Sequence, residues 1–334
     1  MREIGGYFGL EEFSGKEYHH DLVAVNSARN ALLYILKARK VRKLYIPYFL
    51  CDTVAELCKR EQFPCEEYSI GRDFLPVFDR PLEDGAWLYV VNFYGQISNE
   101  QIAKMKKHWD RLIMDNVQAF FQRPVTGVDT VYSCRKFFGV PDGGYLATDA
   151  VLEEILEQDI SKDRMLHILG RFEGNGSDYY RDFQKNDESF YTLELRSMSR
   201  LTHNILRAVD YEAVRQKRNK NYAILAATLD KENRLTLRKP DGPYCYPFYC
   251  ENGMAIKKHL AQKGIYVPTL WPNVLNLEET LEKDYAENIL PLPCDQRYGE
   301  EDMKQMLCLV LQHLAEHLNK KDSFIRRNQI CTNI

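Results

Sequence analysis

The sequence alternates short apolar runs with segments of helical periodicity, and this alternation limits the fold more than any other feature. The runs at Lys43–Tyr48, Trp87–Phe93 and Arg111–Asp115 are largely apolar on both faces, as strands covered on both sides of a sheet are. The stretches Asp52–Arg60 and Asn99–His108 repeat apolar residues with the helical period. Strands that alternate with helices predict an α/β fold with a mostly parallel sheet between two layers of helices.

The same patterns continue through the rest of the chain. Further strands are predicted at Asp21–Val25, Thr130–Ser133, Gly144–Thr148, Tyr244–Cys250 and Ile265–Val267. Helices are predicted over residues 150–170 and 193–230, and at Met254–Lys263 and Met303–Leu318, with Ser27 and Asn99 as N-caps of two earlier helices. Residues 171–192 are polar, aromatic and glycine-bearing, which predicts a long excursion over a site or an interface.

Length and composition indicate a globular chain of two domains. The chain has 334 residues, of which 45% are apolar, enough for a sizeable core. We expect residues 1–215 to form the large domain, beginning with an extended N-terminal arm over residues 1–22. Residues 216–334 are expected to form a smaller α/β domain.

Charge and cysteine content exclude several classes of protein. A net charge of −3 and the lack of a basic patch argue against a nucleic-acid partner. No apolar run has the length of a membrane span or a signal peptide. Nine scattered cysteines include Cys51, Cys58 and Cys65, seven residues apart, without a CxxC pair, so no metal site is predicted. A cytoplasmic protein is expected.

Polar and aromatic side chains fall where the predicted strands end. In parallel α/β sheets, ligands bind outside the carboxyl ends of the strands. Ser27, Tyr48, Tyr94, Asp115 and Ser133 all lie at such ends. We therefore expect the functional site at this edge of the sheet.

Two of the residues near that edge suit one cofactor, pyridoxal phosphate (PLP). Asp115 ends one strand, and Lys136 follows the next strand and precedes a diglycine at Gly143-Gly144. PLP needs a lysine amine for its aldehyde and a carboxylate for its pyridinium nitrogen. The alternative is a buried structural acid and a solvated lysine in a loop.

Other residues would complete a PLP site. The helix N-terminus at Ser27 offers free amide donors to a phosphate, Ser133 could add a hydroxyl, and Arg29 or Arg135 a charge. Gln118 lies three residues after Asp115 and could reach the ring oxygen. Tyr48 or Phe49 could stack on the ring. The sequence lacks GxGxxG and P-loop motifs, which argues against dinucleotide and P-loop chemistry.

The order of these segments resembles the DegT/DnrJ/EryC1/StrS family of PLP-dependent sugar aminotransferases, which have the aspartate aminotransferase fold (fold type I). The similar segments are Val25–Leu32, Val91–Gln96, Met114–Ala119, Lys136 with Asp142-Gly143-Gly144, Lys263–Pro268 and Leu290–Tyr298. The resemblance implies a mostly parallel sheet of the seven-stranded type and a smaller C-terminal domain. It also implies the following roles: phosphate binding by Ser27, Ala28 and Ser133, pyridine-nitrogen binding by Asp115, ring-oxygen binding by Gln118, and aldimine formation by Lys136.

By the same resemblance the chain is an aminotransferase and a homodimer. The donor is expected to be glutamate, and the acceptor a keto compound such as a nucleotide-linked keto sugar. Tyr94, Tyr180, Arg181 and Trp271 are candidates for contacting the acceptor, although these aromatics could instead pack a subunit interface. Two alternatives stay open: a PLP-dependent sugar dehydratase or lyase, and a homologue that binds a ligand without turnover.

Overall fold

The structure is a computed structural model that describes residues 4–314, and its largest element is an eight-stranded mixed sheet. In chain order its strands are β1 (Val23–Val25), β2 (Lys43–Pro47), β3 (Cys65–Ile70), β4 (Pro76–Val77), β5 (Ala86–Val91), β6 (Leu112–Asp115), β7 (Asp129–Ser133) and β8 (Gly144–Ala147). Across the sheet the order is β1-β8-β7-β6-β5-β2-β3-β4. The expected mostly parallel α/β sheet is confirmed.

The five central strands β3, β2, β5, β6 and β7 are parallel, so their carboxyl ends share one edge. Asp115 pairs in register with Val91 on one side and Val131 on the other. Strand β8 runs antiparallel between β7 and β1, so its first residue, Gly144, lies at that same edge beside Ser133 and Val25. The sheet therefore collects polar strand ends at one rim.

Helices connect these strands and make up a large part of the described chain after β8. Their bounds are α1 (Ala28–Ala38), α2 (Asp52–Arg60), α3 (Asn99–His108), α4 (Leu166–Glu173), α5 (Tyr180–Ser189), α6 (Arg200–Arg207), α7 (Tyr211–Leu229), α8 (Gly253–Gln262) and α9 (Leu281–Asn288), followed by a helix over residues 300–314. Helix α1 buries most of its length because its apolar residues follow the helical period.

Side-chain caps fix where two of these helices begin. Ser27 has an extended backbone and accepts a hydrogen bond from the Asn30 amide, as the sequence predicts for α1. Helix α3 is capped by Ser98 rather than by Asn99. Ser98 and Gln101 form a reciprocal capping box, which satisfies two amides that would otherwise lack partners.

A second, smaller sheet pairs β9 (Cys245–Tyr249) with β10 (Ile289–Pro293) in antiparallel register. Its faces pack with α7, α8 and the 300–314 helix around a separate apolar cluster that includes Leu225, Phe248 and Val310. Large-sheet residues such as Leu88 and Met114 belong to a different cluster.

Several predicted elements differ in the structure. The prediction of a helix over residues 150–170 is wrong, because most of that backbone is irregular and α4 begins only at Leu166. The Asp159 amide donates to the Ser197 carbonyl, and the Ser197 amide donates to the Glu157 carbonyl. The helix predicted over residues 193–230 is two helices, α6 and α7, capped separately by Ser199 and Asp210.

One further predicted strand is absent, and one predicted helix falls partly outside the described residues. Ile265–Val267 is not a strand, because the Ile265 amide bonds to the Leu260 carbonyl at the end of α8. The segment 171–192, which the sequence predicts as an excursion, contains the end of α4 and all of α5. Of the predicted helix Met303–Leu318, residues 315–318 lie beyond the described part of the chain. Within residues 4–314 no helix combines the length and apolar character needed to cross a bilayer.

Candidate active site

A cavity of about 250 Å³ lies at the carboxyl edge of the large sheet. Strand ends, two helix N-termini and α5 supply its walls. The lining residues include Ser27, Ala28, Arg29, Leu50, Cys51, Tyr89, Val91, Asp115, Val117, Ser133, Arg135, Lys136, Gly143, Asp187, Phe190 and Trp271. Six of the site residues that the sequence predicts therefore lie together in this cavity: Ser27, Ala28, Asp115, Ser133, Lys136 and Trp271.

Asp115 is the acidic group in the depth of this cavity. It ends β6 and is almost completely buried. Tyr89 donates its hydroxyl to Oδ2 over 2.6 Å, and the Val117 amide donates to Oδ1 over 2.8 Å. Burial raises the pKa of Asp115, while these two hydrogen bonds and the positive charge of Lys136 oppose that rise. The carboxylate is therefore held in a fixed orientation in a site where a cationic partner would stabilise it.

Lys136 lies in a tight turn directly after β7. The amides of Phe137 and Phe138 donate to the Cys134 carbonyl, and both phenylalanines are buried. Lys136 itself is exposed, with Nζ 5.8 Å from the centre of the Tyr244 ring. The turn therefore anchors its flanking residues in the core and leaves the amine at the cavity.

The end of this loop is fixed by Asp142. Its buried carboxylate accepts hydrogen bonds from the Ser199 amide (3.0 Å), the Ser199 hydroxyl (2.7 Å) and the Thr202 hydroxyl. The Gly143 amide donates to the Asn26 carbonyl over 2.8 Å. The segment from Lys136 to β8 is thus attached to both α6 and the residue that precedes Ser27.

The N-terminus of α1 approaches β8 closely enough to require glycine there. A Cβ atom on Gly144 would lie 2.6 Å from the Ala28 amide nitrogen and 2.6 Å from the Ser27 carbonyl carbon. The first helical amides of α1, at Ala28 and Arg29, precede the first intrahelical hydrogen bond. Ser133, which pairs with Gly144 on the adjacent strand, adds a hydroxyl. The N-terminus of α1 and Ser133 therefore present N–H and O–H donors of the kind that bind phosphate.

Two arginines form the opposite rim, together with α5. Arg135 Nη2 lies 3.1 Å from Asp187 Oδ1, and its guanidinium carbon lies 4.2 Å from the centre of the Phe190 ring. The Arg29 guanidinium lies over Tyr191 at 4.6 Å, and its buried Nε and Nη1 atoms have no hydrogen-bond partner within residues 4–314. The segment predicted as an excursion therefore reaches the cavity through Asp187 and Phe190.

Neither of the two predicted ring-stacking residues, Tyr48 and Phe49, lines the cavity. Phe49 is fully buried and packs edge-on against Trp271, with ring centres 5.0 Å apart. Tyr48 is partly exposed, and the cavity wall in the described chain passes from Leu50 to Cys51 instead. Trp271 is the aromatic residue that this packing presents to the cavity.

Gln118 and Tyr94 belong to a neighbouring region. The Tyr94 amide donates to Gln118 Oε1 over 2.7 Å, and Gln118 lines a second cavity of about 350 Å³ with residues such as Arg238. Both side chains are buried, and Gln118 Nε2 and the Tyr94 hydroxyl lack partners within the described chain. Their predicted roles at the ring and the acceptor stay predictions.

Tyr180 and Arg181 lie at the beginning of α5, away from the cavity. Both are exposed, and among residues 4–314 neither lines the cavity walls, which α5 reaches later through Asp187. Tyr180 instead stacks on Phe183, with ring centres 6.0 Å apart. The structure therefore does not bring these two candidates to Asp115 and Lys136.

Sequence reasoning missed Tyr89 and Asp187. Tyr89 lies inside an apolar strand, and its contact with Asp115 depends on the register between β5 and β6. Asp187 comes from a helix far along the chain. The one available signal was the period of two in a strand, which places Tyr89 and Val91 on the same face.

No family model matches the chain, and no curated protein matches it. Solved structures match its fold. A DegT DnrJ EryC1 StrS aminotransferase from Brucella abortus is 14% identical, with a TM-score of 0.59 over 87% of this chain and 85% of that one. The apo-form of the putative sugar aminotransferase Spr1654 from Streptococcus pneumoniae is 13% identical, with a TM-score of 0.61 over 90% and 87%. Helicobacter pylori PseC, an aminotransferase involved in the biosynthesis of pseudoaminic acid, is 15% identical, with a TM-score of 0.58 over 86% and 85%. The chain therefore has the fold of these aminotransferases, as its sequence resemblance implies.

Proposed function

We propose that the protein is a PLP-dependent aminotransferase of the DegT/DnrJ/EryC1/StrS type. The observation that carries the proposal is one cavity that holds a buried carboxylate, Asp115, and an exposed lysine, Lys136, at the carboxyl edge of the sheet. The shared fold supports it, and so do the PLP and PMP forms in which the Streptococcus pneumoniae protein was solved.

The donors around the cavity fit an oxygen-rich cofactor. The Ala28 and Arg29 amides and the Ser133 hydroxyl suit its phosphate. Two buried Arg29 nitrogens have no partner within residues 4–314, so the site has unused donors for an anion. The close approach of Gly144 to the first turn of α1 fixes the position of those amides.

PLP supplies an aldehyde that reacts with amines and a ring that withdraws electrons from the substrate. Asp115 would hold the ring nitrogen in its protonated form, because an ionised carboxylate stabilises a neighbouring cation. Tyr89 and the Val117 amide keep that carboxylate oriented. Lys136 would carry the cofactor and then, as a free amine at Nζ, transfer the proton at the reacting carbon of the substrate.

The substrates follow from the resemblance and from the position of the cavity. We propose glutamate as the amino donor and a keto compound, such as a nucleotide-linked keto sugar, as the acceptor. We propose that Trp271, which lines the cavity, contacts that acceptor. We also propose a domain boundary near residue 215, because the second apolar cluster draws its buried residues from Tyr222 onward.

We propose that the protein acts as a homodimer in the cytoplasm. Large exposed side chains in the N-terminal arm and in α4, including Phe8 and Phe172, could be covered by a second copy. All cysteines within residues 4–314 are free thiols, which suits a reducing compartment.

The test is a single-turnover experiment with the Asp115→Asn variant. When glutamate is added to the PLP-loaded wild-type protein, the cofactor should be converted to its amine form. The loss of absorbance of the aldehyde form measures the rate of this conversion. Asp115→Asn should retain PLP and fold but lose at least ~100-fold in this rate, because a neutral amide does not stabilise the ring cation. An unchanged rate per folded molecule would remove Asp115 from the mechanism. Failure of the wild type to form the amine would favour a lyase or a non-catalytic binder.

A further inference from the structure

A buried arginine, Arg218 of α7, contacts the turn that carries Lys136. Only 2% of Arg218 is exposed, and its guanidinium carbon lies 4.4 Å from the centre of the Phe137 ring. Burial lowers the pKa of Arg218, because a charge is held there at a cost in solvation. Within residues 4–314 its hydrogen bonds go to amide and peptide oxygens rather than to carboxylates. A guanidinium enclosed in this way is used to hold backbone in place.

The hydrogen bonds of Arg218 reach two backbone segments on either side of the Lys136 amine. Nη2 donates to the Phe137 carbonyl over 3.4 Å, and Phe137 directly follows Lys136. Nη1 donates to the Pro243 carbonyl over 2.8 Å, and Pro243 directly precedes Tyr244. Lys136 Nζ lies 5.8 Å from the centre of the Tyr244 ring. One planar group therefore connects the segment of the lysine to the segment of the aromatic ring beside its amine.

Gln296, which follows β10, binds the same carbonyl. Its Oε1 accepts a hydrogen bond from Arg218 Nε over 2.8 Å, and its Nε2 donates to the Phe137 carbonyl over 2.6 Å. Asn221, on α7 like Arg218, donates to the Asp295 carbonyl over 3.1 Å and so ties the Gln296 segment to that helix. The Phe137 carbonyl thus accepts from two side chains whose own positions are fixed.

This network is anchored in the second apolar cluster. Leu225 and Leu229 of α7 are buried in that cluster, whereas Phe137 belongs to the cluster around β7 and β8. Arg218 and Gln296 therefore connect the smaller sheet and its helices to the turn after β7. Neither residue is among those that line the cavity in the described chain.

We propose that Arg218 and Gln296 are positioning residues for Lys136. By holding the Phe137 carbonyl they set where the lysine amine lies in the cavity. The inference rests on the proposed aminotransferase function and adds to it two residues that do not touch the cofactor or the substrate. Their loss should slow the steps that Nζ performs, because a displacement of about 1 Å can cost about 100-fold in rate. Glutamate binding should change little, since neither side chain lines the cavity.

The test follows the uptake of PLP by the full chain with stopped-flow absorbance. In this step the Lys136 nitrogen forms a C=N bond to the aldehyde carbon, and the aldehyde oxygen leaves as water. Arg218→Lys keeps the charge but loses the planar fork that reaches three acceptors. It should slow formation of the lysine-linked cofactor by about tenfold or more. The single-turnover rate with glutamate should fall by a similar factor, while KM for glutamate stays within about twofold.

The matched control is Arg215→Lys in the same helix. Arg215 pairs with the exposed Glu212 and Asp241, so this variant should leave the uptake rate within about twofold of wild type. Gln296→Leu removes one donor to the Phe137 carbonyl and should slow uptake by about threefold or more. It decides the question if Arg218→Lys does not fold.

Thermal melts beside the rates separate positioning from a structural role. A lower melting temperature with wild-type uptake and turnover per folded molecule would show that Arg218 only joins the two parts of the chain, and would overturn the proposal. A rise in KM for glutamate without a loss in kcat would also overturn it. A wild-type protein that takes up no PLP would instead refute the proposed function.

Discussion

Lowering the pH should destabilise the protein through His19, which is buried where the arm meets the large sheet. Its Nε2 lies 2.8 Å from the Phe120 carbonyl oxygen, and its ring packs on Tyr132 with ring centres 4.3 Å apart. Nδ1 is buried without a partner in the described chain. The neutral ring can donate from Nε2, but a protonated ring would also bury an unsatisfied Nδ1–H and a charge.

The size of the effect follows from the pKa. Burial lowers the pKa of His19 from 6.5 to about 4, against a smaller opposing effect of the Phe120 carbonyl. Because the folded pKa is the lower one, the unfolded chain takes up the proton first as pH falls. His19 thus stabilises the fold above its unfolded pKa, and this contribution is lost as pH falls from 6.5 toward about 4. Between about pH 7.5 and 5 the loss is roughly 2 kcal/mol of unfolding free energy.

Urea unfolding at both pH values, followed by tryptophan fluorescence, measures this loss. His19→Gln should be less stable than the wild type at neutral pH but should lose roughly 2 kcal/mol less on acidification, because glutamine does not titrate. The matched control His20→Gln alters the exposed neighbour and should keep the wild-type pH dependence. Equal pH dependence in His19→Gln and wild type would refute the assignment of a neutral, buried His19.

Three further predictions concern the site and the assembly. Gly144→Ala should weaken PLP binding at least ~10-fold and cost about 1–3 kcal/mol of stability in urea, because its Cβ would meet the Ser27 and Ala28 backbone at 2.6 Å. Sedimentation should show a dimer, with an interface of roughly 2,000 Å² or more, and a fully active monomer would contradict this. Arg181→Ala should leave both half-reactions within about twofold of wild type, since Arg181 lies off the cavity; a selective rise in KM for the acceptor would restore the sequence-based assignment.

The parts of the fold that depend on local pattern could be predicted from the sequence. The helix Asp52–Arg60, the Ser27 cap and the strand that ends at Asp115 all follow from periodicity and capping chemistry, and the structure has them. Strand β3 (Cys65–Ile70) was missed because its outer face is polar, so its run is neither apolar throughout nor helical in period.

The parts that depend on distant contacts could not be predicted. Residues 150–161 contain helix-forming residues, but their backbone pairs near Ser197, and such pairing overrides local propensity. Likewise, Tyr89 and Asp187 join the site through strand register and helix packing. The chemistry of the site could be read from Asp115 and Lys136, whereas its walls required the three-dimensional structure.

The most direct test of the central claim is to locate the covalent cofactor. Wild-type protein incubated with PLP should turn yellow, and after borohydride reduction, peptide mass spectrometry should find the pyridoxyl group on Lys136. Lys136→Ala should fold, because Lys136 is exposed between anchored neighbours, yet it should carry no reducible lysine adduct. Pyridoxyl label on another lysine, or a wild-type protein that binds no PLP, would contradict the account.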